Sequence, residues 1–427
     1  MKILYVIHEF FPEFYTGTAR VGLNLAKQMQ KMGHQVKVLT YEPTETKGMF
    51  SIGGLLYKKY EYDSIQVISL RHKNLNPQVN FNIFCYDVEK EIRELIDIEG
   101  LNDIDIAHII HPLRMGIVAK IVKEKNIPII MTLTDYWTIC PRVQLLKPNY
   151  SICNGPNEGE KCSAVCGYAK QEMKNRLKDA ISLFDLADII TVPSRIVKHI
   201  FNINGFNGEK IQVVNHGLDY KYFNKLNNKT YSENDTITFG YIGPVLKHKG
   251  VHLLVEAFKK VNLSNIRLKT YGSPLHEKNY YDYLKELSTG DDRIALMGEF
   301  GYDKLSYILA DIDIAVFPSI CYESYCLALT ECLAHKVPVI ASNTVGSAFE
   351  FIKNDSGLIF NSGNIDELAQ LIEKIGSKPS MINSLKDKII SPPRIEEEAM
   401  YYEIIYKKCL SKTKQNENTA ELFIKKG

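Results

Sequence analysis

Short apolar segments alternate with amphipathic segments along almost the whole of this 427-residue chain, and this alternation is the feature that most constrains its fold. Ile3–Ile7 has the length of a buried strand, Thr18–Met32 carries apolar residues at helical spacing, and Gln35–Thr40 is a second strand-like run. Strands that alternate with helices are joined by right-handed crossovers and form a mainly parallel sheet. The pattern therefore predicts an α/β protein.

A polar, asparagine-rich segment, residues 221–236, interrupts the alternation and indicates a domain boundary. Further strands are predicted at Ile104–Ile110, Pro128–Leu133, Asp188–Val192, Ile237–Ile242, Arg267–Tyr271, Ile312–Phe317 and Val337–Ala341. Helices beyond the boundary are predicted at Val251–Val261, Tyr302–Leu309 and Ser324–His335. We expect two consecutive α/β domains, 1–220 and 221–392, with a ligand in the crevice at the carboxyl ends of their strands.

The two ends of the chain predict neither export nor membrane insertion. The apolar stretch Ile3–Ile7 has strand length, and no window approaches the about 18 consecutive apolar residues of a membrane-spanning helix. We therefore expect a cytoplasmic protein. At the other end, a helix over 393–411 is expected to pack back on the first domain, and 412–427 is expected to be a flexible tail.

The overall charge excludes one class of partner. The chain has 52 basic and 50 acidic side chains, which leaves a formal charge of +2. Dedicated nucleic-acid-binding proteins carry a basic excess, so we expect no nucleic-acid partner.

Two glutamates flank the start of the helix predicted from Ser324. Glu323 precedes this helix, and Glu331 lies two turns inside it. The free N–H groups at a helix start attract an anionic phosphate, so one acid could contact a sugar while the other reaches hydroxyls deeper in the crevice. For an isolated pair, two solvated surface glutamates would be the favoured interpretation.

A second segment supports a phosphate site. Gly240 and Gly243 stand at the end of a predicted strand, and Lys249-Gly250 stands at the start of the next helix. Glycines allow a close backbone approach to a ligand, and Lys249 supplies a point charge for a diphosphate.

Taken together, these residues resemble the family-4 retaining glycosyltransferases of group 1 type, in which two Rossmann-like domains face a central cleft (the GT-B architecture). The resemblance covers nearly the whole chain. In the second domain it rests on Lys249-Gly250, Gly298, Glu323, Glu331, Val337–Ala341, Gly346, Glu350 and Gly357. In the first domain it rests on Gly17, Asp135–Trp137, Cys140–Arg142, Val192–Ser194 and His216–Asp219.

The resemblance implies roles for these residues. Glu331 would hold the ribose hydroxyls of a nucleotide, Lys249 would neutralise its diphosphate, and Glu323 would contact the transferred sugar. The other donor-binding residues implied are Gly17, Gly243, Gly298 and the backbone N–H groups of Tyr325, Cys326 and Leu327. A lysine and a helix start can stabilise the diphosphate electrostatically, so no metal is required for catalysis.

Four positions depart from the family pattern. Pro244 stands where many members have an arginine, which removes a bidentate partner for the diphosphate. Thr134 replaces the histidine that commonly precedes Asp135, while Thr18 and Cys326 replace glycines. These changes indicate a subfamily, and they also motivate a non-catalytic nucleotide- or glycan-binding protein as an alternative function.

The function implied is transfer of a sugar, with a hexose expected, from a UDP- or GDP-linked donor to a saccharide or lipid-linked saccharide, in surface polysaccharide biosynthesis. A sugar-nucleotide epimerase of the same architecture is the other alternative.

On the acceptor side we single out Asp135 and His111. The basic segment 170–178, followed by apolar 181–186, fits peripheral contact with the inner face of a membrane, but the pattern favours a solvated helix face.

Four cysteines fall close together in a turn-rich part of the first domain. Of the nine cysteines, Cys140, Cys153, Cys162 and Cys166 lie within one loop-like stretch. Cys162 and Cys166 have the spacing of a zinc ligand pair, while the other two are irregularly placed. A structural zinc site and four unrelated thiols both remain open.

Overall fold

The structure is a computed structural model. It describes residues 1–424 apart from 45–46, 75–76, 224–226, 274–276 and 354, and it describes side chains as far as residue 412, with the exception of residue 77. Part of the predicted boundary segment, 224–226, therefore lies outside the described residues. The same holds for the side chains of the expected tail from residue 413 onward and for all of 425–427.

The first domain is built on a mainly parallel sheet that has nine strands in the described part of the chain. They are β1 Lys2–Ile7, β2 Gln35–Tyr41, β3 Phe50–Ile52, β4 Leu55–Tyr62, β5 Ile65–His72, β6 Ile106–Ile109, β7 Ile129–Thr132, β8 Ile189–Val192 and β9 Ile211–Val213. Their order is β3-β4-β5-β2-β1-β6-β7-β8-β9. Only β4 runs antiparallel to its neighbours β3 and β5 among the pairs described. The carboxyl ends of the central strands consequently meet at one edge.

Helices cover this sheet: α1 Gly17–Lys31, α2 Glu89–Ile98, α3 Gly116–Glu124, α4 Glu160–Cys166, α5 Lys170–Leu186 and α6 Arg195–Ile203. The first of them, α1, begins where the Thr16 hydroxyl accepts a hydrogen bond from the Ala19 amide at 3.3 Å. Val21, Leu25 and Met29 are buried at helical spacing on its inner face. The N-terminal turn of α1 lies against the second domain, where Arg20 approaches Glu331.

The second domain repeats the arrangement with six parallel strands among the described residues. They are β10 Ile237–Ile242, β11 Ile266–Tyr271, β12 Ile294–Gly298, β13 Ile314–Phe317, β14 Val339–Ser342 and β15 Gly357–Phe360, in the order β12-β11-β10-β13-β14-β15. Its helices are α7 Val251–Lys260, α8 Lys278–Ser288, α9 Leu305–Asp311, α10 Leu327–Ala334, α11 Gly346–Phe351, α12 Ile365–Ser377 and α13 Met381–Asp387. The chain thus forms two Rossmann-like domains.

The last helix, α14 (Ile395–Ile424), returns to the first domain. Tyr402, Ile405 and Tyr406 are buried in the core cluster that includes β1 and α1. The Tyr406 hydroxyl lies 2.6 Å from Nδ1 of His108, inside the first sheet. Among the described residues, every helix is too short or too polar to cross a lipid bilayer.

One helix boundary in the second domain was predicted wrongly. Helix α10 begins at Leu327, not at Ser324, so Glu331 lies just over one turn inside it. The three preceding residues are not helical, because they make tertiary hydrogen bonds instead of helical ones. The Ser324 carbonyl accepts from the Ser194 hydroxyl at 2.7 Å, and the Ser324 hydroxyl donates to the Thr134 carbonyl. Both bonds join the two domains.

Candidate active site

The carboxyl ends of the two sheets face each other across a cleft that contains a cavity of about 420 Å³. The first domain contributes the loop before α1 and its first turn, and the second contributes the ends of β10–β13 and the start of α10. The charged side chains that line the cavity are Arg20, Lys249, Glu299, Glu323 and Glu331. The cleft is therefore locally rich in charge although the whole chain is nearly neutral.

Lys249 and Glu323 form an ion pair on the second-domain side. Nζ of Lys249 lies 2.9 Å from Oε2 of Glu323, and the Ser319 hydroxyl donates to the other carboxylate oxygen. Gly250 has a φ of 73°, and a Cβ there would lie 2.0 Å from the Pro318 carbonyl oxygen. The glycine thus lets the lysine-bearing turn pack against the chain that carries Glu323.

This pair is fully charged. Burial lowers the pKa of Lys249, but the neighbouring Glu323 carboxylate outweighs this effect and raises it above its ordinary value. Burial raises the pKa of Glu323, but Lys249 and the Ser319 hydroxyl together bring it below its ordinary value. The result is a fixed ammonium group in a partly desolvated cleft, where its field on a ligand is stronger than in water.

Glu331 projects from α10 into the same cavity. It is only 6% exposed, and its Oε1 accepts a hydrogen bond from the Tyr302 hydroxyl at 2.8 Å. The guanidinium of Arg20 approaches the same oxygen at 3.5 Å from the other domain. Burial raises the pKa of Glu331, although Arg20 and Tyr302 both act to lower it.

Arg20 and Tyr302 were not predicted as site residues. Arg20 lies on the first turn of α1, and its guanidinium carbon is 4.1 Å from the centre of the Tyr302 ring. The available signal was the position of Arg20 three residues after Gly17, in the segment expected to meet the donor. Arg20 of the first domain and Tyr302 of the second thus contact each other, and both contact Glu331.

The loop before α10 brings three predicted residues to the cavity wall. Tyr325, Cys326 and Leu327 all line it. The Tyr325 hydroxyl, however, donates to the His216 carbonyl at 3.1 Å, and the Cys326 amide donates to the Ser347 hydroxyl at 3.3 Å. The first turn of α10 leaves its amide N–H groups without partners inside the helix, so they can bind an anion.

The predicted glycines differ in their positions. Gly17 and Gly243 line the cavity. A Cβ on Gly17 would make ordinary contact, 3.8 Å, with Leu327 across the cleft. Gly298 ends β12 with a φ of 77° and accepts a hydrogen bond from the Gly272 amide at 2.8 Å. Its role in the structure is to turn the chain so that Glu299 and Phe300 reach the cavity.

The two acceptor-side residues are joined to each other. Nε2 of His111 lies 2.9 Å from Oδ2 of Asp135, and the other carboxylate oxygen of Asp135 accepts from the Trp137 amide at 2.8 Å. The His111 ring packs 3.9 Å from that of His8. The group lies at the carboxyl edge of the first sheet, and none of its residues lines the interdomain cavity.

The structure brings the four clustered cysteines near one another, since Cys140, Cys153 and Cys166 all act electrostatically on Cys162, but not to the spacing of bound metal ligands. Cys140, Cys153, Cys162 and Cys166 are all free thiols in the structure. Among the described residues, His72, Cys85 and Asp87 are the group whose three ligand atoms lie within 4.8 Å of one another, and none of the four belongs to it. Tetrahedral zinc needs four ligands at about 2.0–2.3 Å from the ion, so these thiols would have to move to bind one.

The positive charge of the basic segment 170–178 is largely compensated by neighbouring groups. Lys170 and Lys174 pair with Glu160 and Glu158 at 2.8 and 3.1 Å. Arg176 is buried and donates to the carbonyls of Phe81 and Thr138, each at 2.7 Å. These contacts favour the solvated-helix interpretation of the segment over contact with a membrane.

The geometry defines a two-domain enzyme fold of the GT-B type, and the comparisons with known proteins agree. Residues 223–391 match the pattern of the Glycosyl transferases group 1 family, and residues 15–222 match that of Glycosyltransferase Family 4. The chain belongs to this family of glycosyltransferases.

Individual relatives are distant. The capsular polysaccharide biosynthesis glycosyltransferase CapM of Staphylococcus aureus is 27% identical over 216 residues, which are 48% of this chain and 56% of that protein. An uncharacterised glycosyltransferase of Methanocaldococcus jannaschii is 22% identical over 91% of this chain and 93% of its own. Sucrose-phosphate synthase from Thermosynechococcus elongatus has the same fold, with a TM-score of 0.66 at 15% identity over 99% of each chain. HepE from Anabaena, solved with UDP and glucose, gives a TM-score of 0.65 at 13% identity over 95% of this chain and 99% of its own.

Proposed function

We propose that the protein is a retaining glycosyltransferase that moves a hexose from a UDP- or GDP-linked donor to a saccharide or lipid-linked saccharide acceptor in surface polysaccharide biosynthesis. The observation that carries this proposal is the convergence of Lys249, Glu323 and Glu331 on one interdomain cavity beside the start of α10. A cytoplasmic location belongs to the same proposal.

The cavity offers a separate contact for each part of a nucleotide sugar. The Glu331 carboxylate can accept hydrogen bonds from both ribose hydroxyls. Lys249 and the first amides of α10 supply positive charge for the diphosphate. Glu323, held by Lys249 and Ser319, presents a carboxylate to hydroxyls of the transferred sugar.

The reaction that this arrangement supports needs no protein nucleophile. The acceptor oxygen bonds to the anomeric carbon on the face from which the diphosphate leaves, while the bond from that carbon to the phosphate oxygen breaks. The acceptor proton passes to the leaving phosphate oxygen, so the donor's anomeric configuration is retained. Lys249 stabilises the charge that develops on the diphosphate, and electrostatic stabilisation of this kind is usually the largest single contribution to catalysis.

Two named relatives support the substrate class. HepE was solved with UDP and glucose, and in another crystal with UDP-glucose. CapM is named for capsular polysaccharide biosynthesis. Both names favour a sugar nucleotide and a polysaccharide product for this chain.

Incubation with a panel of UDP- and GDP-sugars, followed by mass spectrometry, tests the proposal. Hydrolysis of one donor, or transfer of its sugar to an added saccharide, supports it. An isomerised nucleotide sugar would indicate an epimerase instead, and binding without turnover would indicate a non-catalytic homologue.

Arg20 should act on the diphosphate and not on the nucleoside. Arg20 contacts Glu331 at 3.5 Å, so a bound ribose would displace it from that carboxylate and leave its charge free for the phosphates. We expect Arg20→Gln to weaken UDP binding about tenfold, the effect of one charge-assisted contact, and to leave uridine binding unchanged or slightly stronger. Calorimetric titration with both ligands measures this difference.

The matched control for this prediction is Lys27→Gln. Lys27 lies on the same helix but pairs with Asp63, away from the cleft. The control should bind both ligands normally. An equal loss of UDP and uridine affinity in Arg20→Gln would contradict the assigned role.

A further inference from the structure

A second cluster of polar side chains lies at the carboxyl edge of the first sheet. His8 follows β1, Tyr41 ends β2, His72 ends β5, and Arg114 lies between β6 and α3. Because parallel strands end at the same edge, these side chains meet beside the His111–Asp135 pair. The donor contacts proposed above use none of them.

Arg114 is held in place by neutral contacts, and the nearest charge that acts on it, the carboxylate of Glu9, forms no ion pair with it. Its Nε donates to Oδ1 of Asn80 at 2.8 Å, and its guanidinium carbon lies 4.9 Å from the centre of the Tyr41 ring. Its Nη1 is buried and forms no hydrogen bond, and within the described residues Arg114 forms no ion pair. Its backbone has a φ of 66°, an unusual value for a residue other than glycine. A half-buried cation with a free N–H group is costly unless an anion completes it.

Two histidines beside Arg114 also have unused nitrogens. Nδ1 of His8 and Nε2 of His72 are buried and form no hydrogen bond, and these residues are only 9% and 1% exposed. Burial lowers the pKa of both histidines and the charge of Arg114 lowers both further, while Asp87, 3.8 Å from Nε2 of His72, acts to raise that of His72. Each imidazole is therefore neutral at pH 7 and can donate one N–H group.

We propose that Arg114, with His8 beside it, binds an anionic group of the sugar acceptor, either a carboxylate or a phosphate. This inference rests on the proposed function, because it assigns the acceptor to the first-domain side of the cleft, opposite Lys249. The planar guanidinium matches the oxygen pairs of both groups, and a neutral imidazole adds a hydrogen bond without a second charge. The acceptor is thus selected for negative charge.

A metal ion is the competing occupant. The ligand atoms of His72, Cys85 and Asp87 lie within 4.8 Å of one another. The positive charge of Arg114 acts on both His72 and Cys85, which opposes a cation at this place. Burial and the nearby Asp87 raise the pKa of the Cys85 thiol to about 12, so it is not the thiolate that zinc prefers. An anion is therefore favoured.

The only tryptophan of the chain reports on this site. Nε1 of Trp137 donates to the carbonyl of Asn80 at 2.9 Å, and the side chain of the same Asn80 accepts from Arg114. An anion that binds Arg114 should therefore change the fluorescence of Trp137. UDP is added at saturation first, so that Lys249 cannot bind the probe.

The probes are methyl glucuronide and glycerol 3-phosphate, with methyl glucoside and glycerol as uncharged counterparts. A saturable change with a charged probe, and at least about tenfold weaker binding of its counterpart, supports the proposal. Tighter binding of methyl glucuronide would identify the anionic group of the acceptor as a carboxylate, and tighter binding of glycerol 3-phosphate would identify it as a phosphate. Arg114→Gln should abolish the change and keep normal UDP affinity. Arg93→Gln, which alters a surface arginine paired with Glu89 and Glu124, should keep both.

Equal responses to charged and uncharged probes, a response that survives in Arg114→Gln, or a response to Zn²⁺ alone would each overturn the proposal. Failure of the proposed function looks different. In that case UDP itself does not bind. A titration of the charged probes without UDP still measures, through the fluorescence of Trp137, whether Arg114 binds an anion.

Discussion

Lys249→Ala should lower kcat/KM for sugar transfer by about 10²–10³-fold, the usual effect of removing one electrostatic contact to a developing charge. Lys249 is the fixed cation on the second-domain side of the cavity, 2.9 Å from Glu323. Pro244 stands where an arginine could have shared its role. Without Lys249 the leaving diphosphate keeps only Arg20 and the amides of α10.

Initial-rate measurements on the donor found in the panel would check this result. Lys247→Ala is the matched control, because Lys247 lies on the same short turn but is exposed and packs 4.6 Å from the Tyr150 ring. Removal of Lys249 leaves Glu323 buried without a partner, so Lys249→Met with Glu323→Gln serves as a second variant that removes both charges. Near-normal transfer by folded Lys249→Ala would contradict the assignment.

Glu331→Ala should raise the dissociation constant for UDP by about 10–100-fold, since hydrogen bonds to a charged group contribute about 1.5–3 kcal/mol. The Glu331 carboxylate is buried, and its partners Tyr302 and Arg20 hold it toward the cavity. Transfer should disappear at donor concentrations near the wild-type KM.

A modified ligand provides the control for this variant. UDP without its 2′ and 3′ hydroxyls should bind the wild-type protein as weakly as UDP binds Glu331→Ala. The two changes should not add when they are combined, because both remove the same contact. Additive losses in calorimetry would show that Glu331 acts elsewhere.

The central strands of both sheets could be predicted from the sequence. The strands at the β3–β4 edge of the first sheet could not. Ile237–Ile242 was predicted with the bounds of β10, because a strand buried on both faces is a continuous apolar run. The hairpin β3–β4 was missed. In Leu55–Tyr62 only the first and third residues are buried, and the strand carries two lysines and three tyrosines, so its apolar content resembles that of a loop.

The site residues that belong to a local sequence motif could be predicted. Those whose contacts form only where the two domains meet could not. Glu323, Lys249 and Glu331 were predicted from motifs, and the structure brings them to one cavity. Arg20 was missed because its partner, Glu331, is 311 positions away in sequence. Ser324 was assigned to a helix because its bonds to Ser194 and Thr134 of the first domain have no local signature.

The most direct test of the central claim is the anomeric configuration of the transferred sugar. The wild-type protein would be incubated with its donor and a saccharide acceptor, and the new linkage would be read from the coupling constant of its anomeric proton in an NMR spectrum taken during the reaction. The predicted result is that the new linkage keeps the anomeric configuration of the donor. Lys249→Ala should form almost none of this product. An inverted linkage would contradict the same-face mechanism proposed for this cleft.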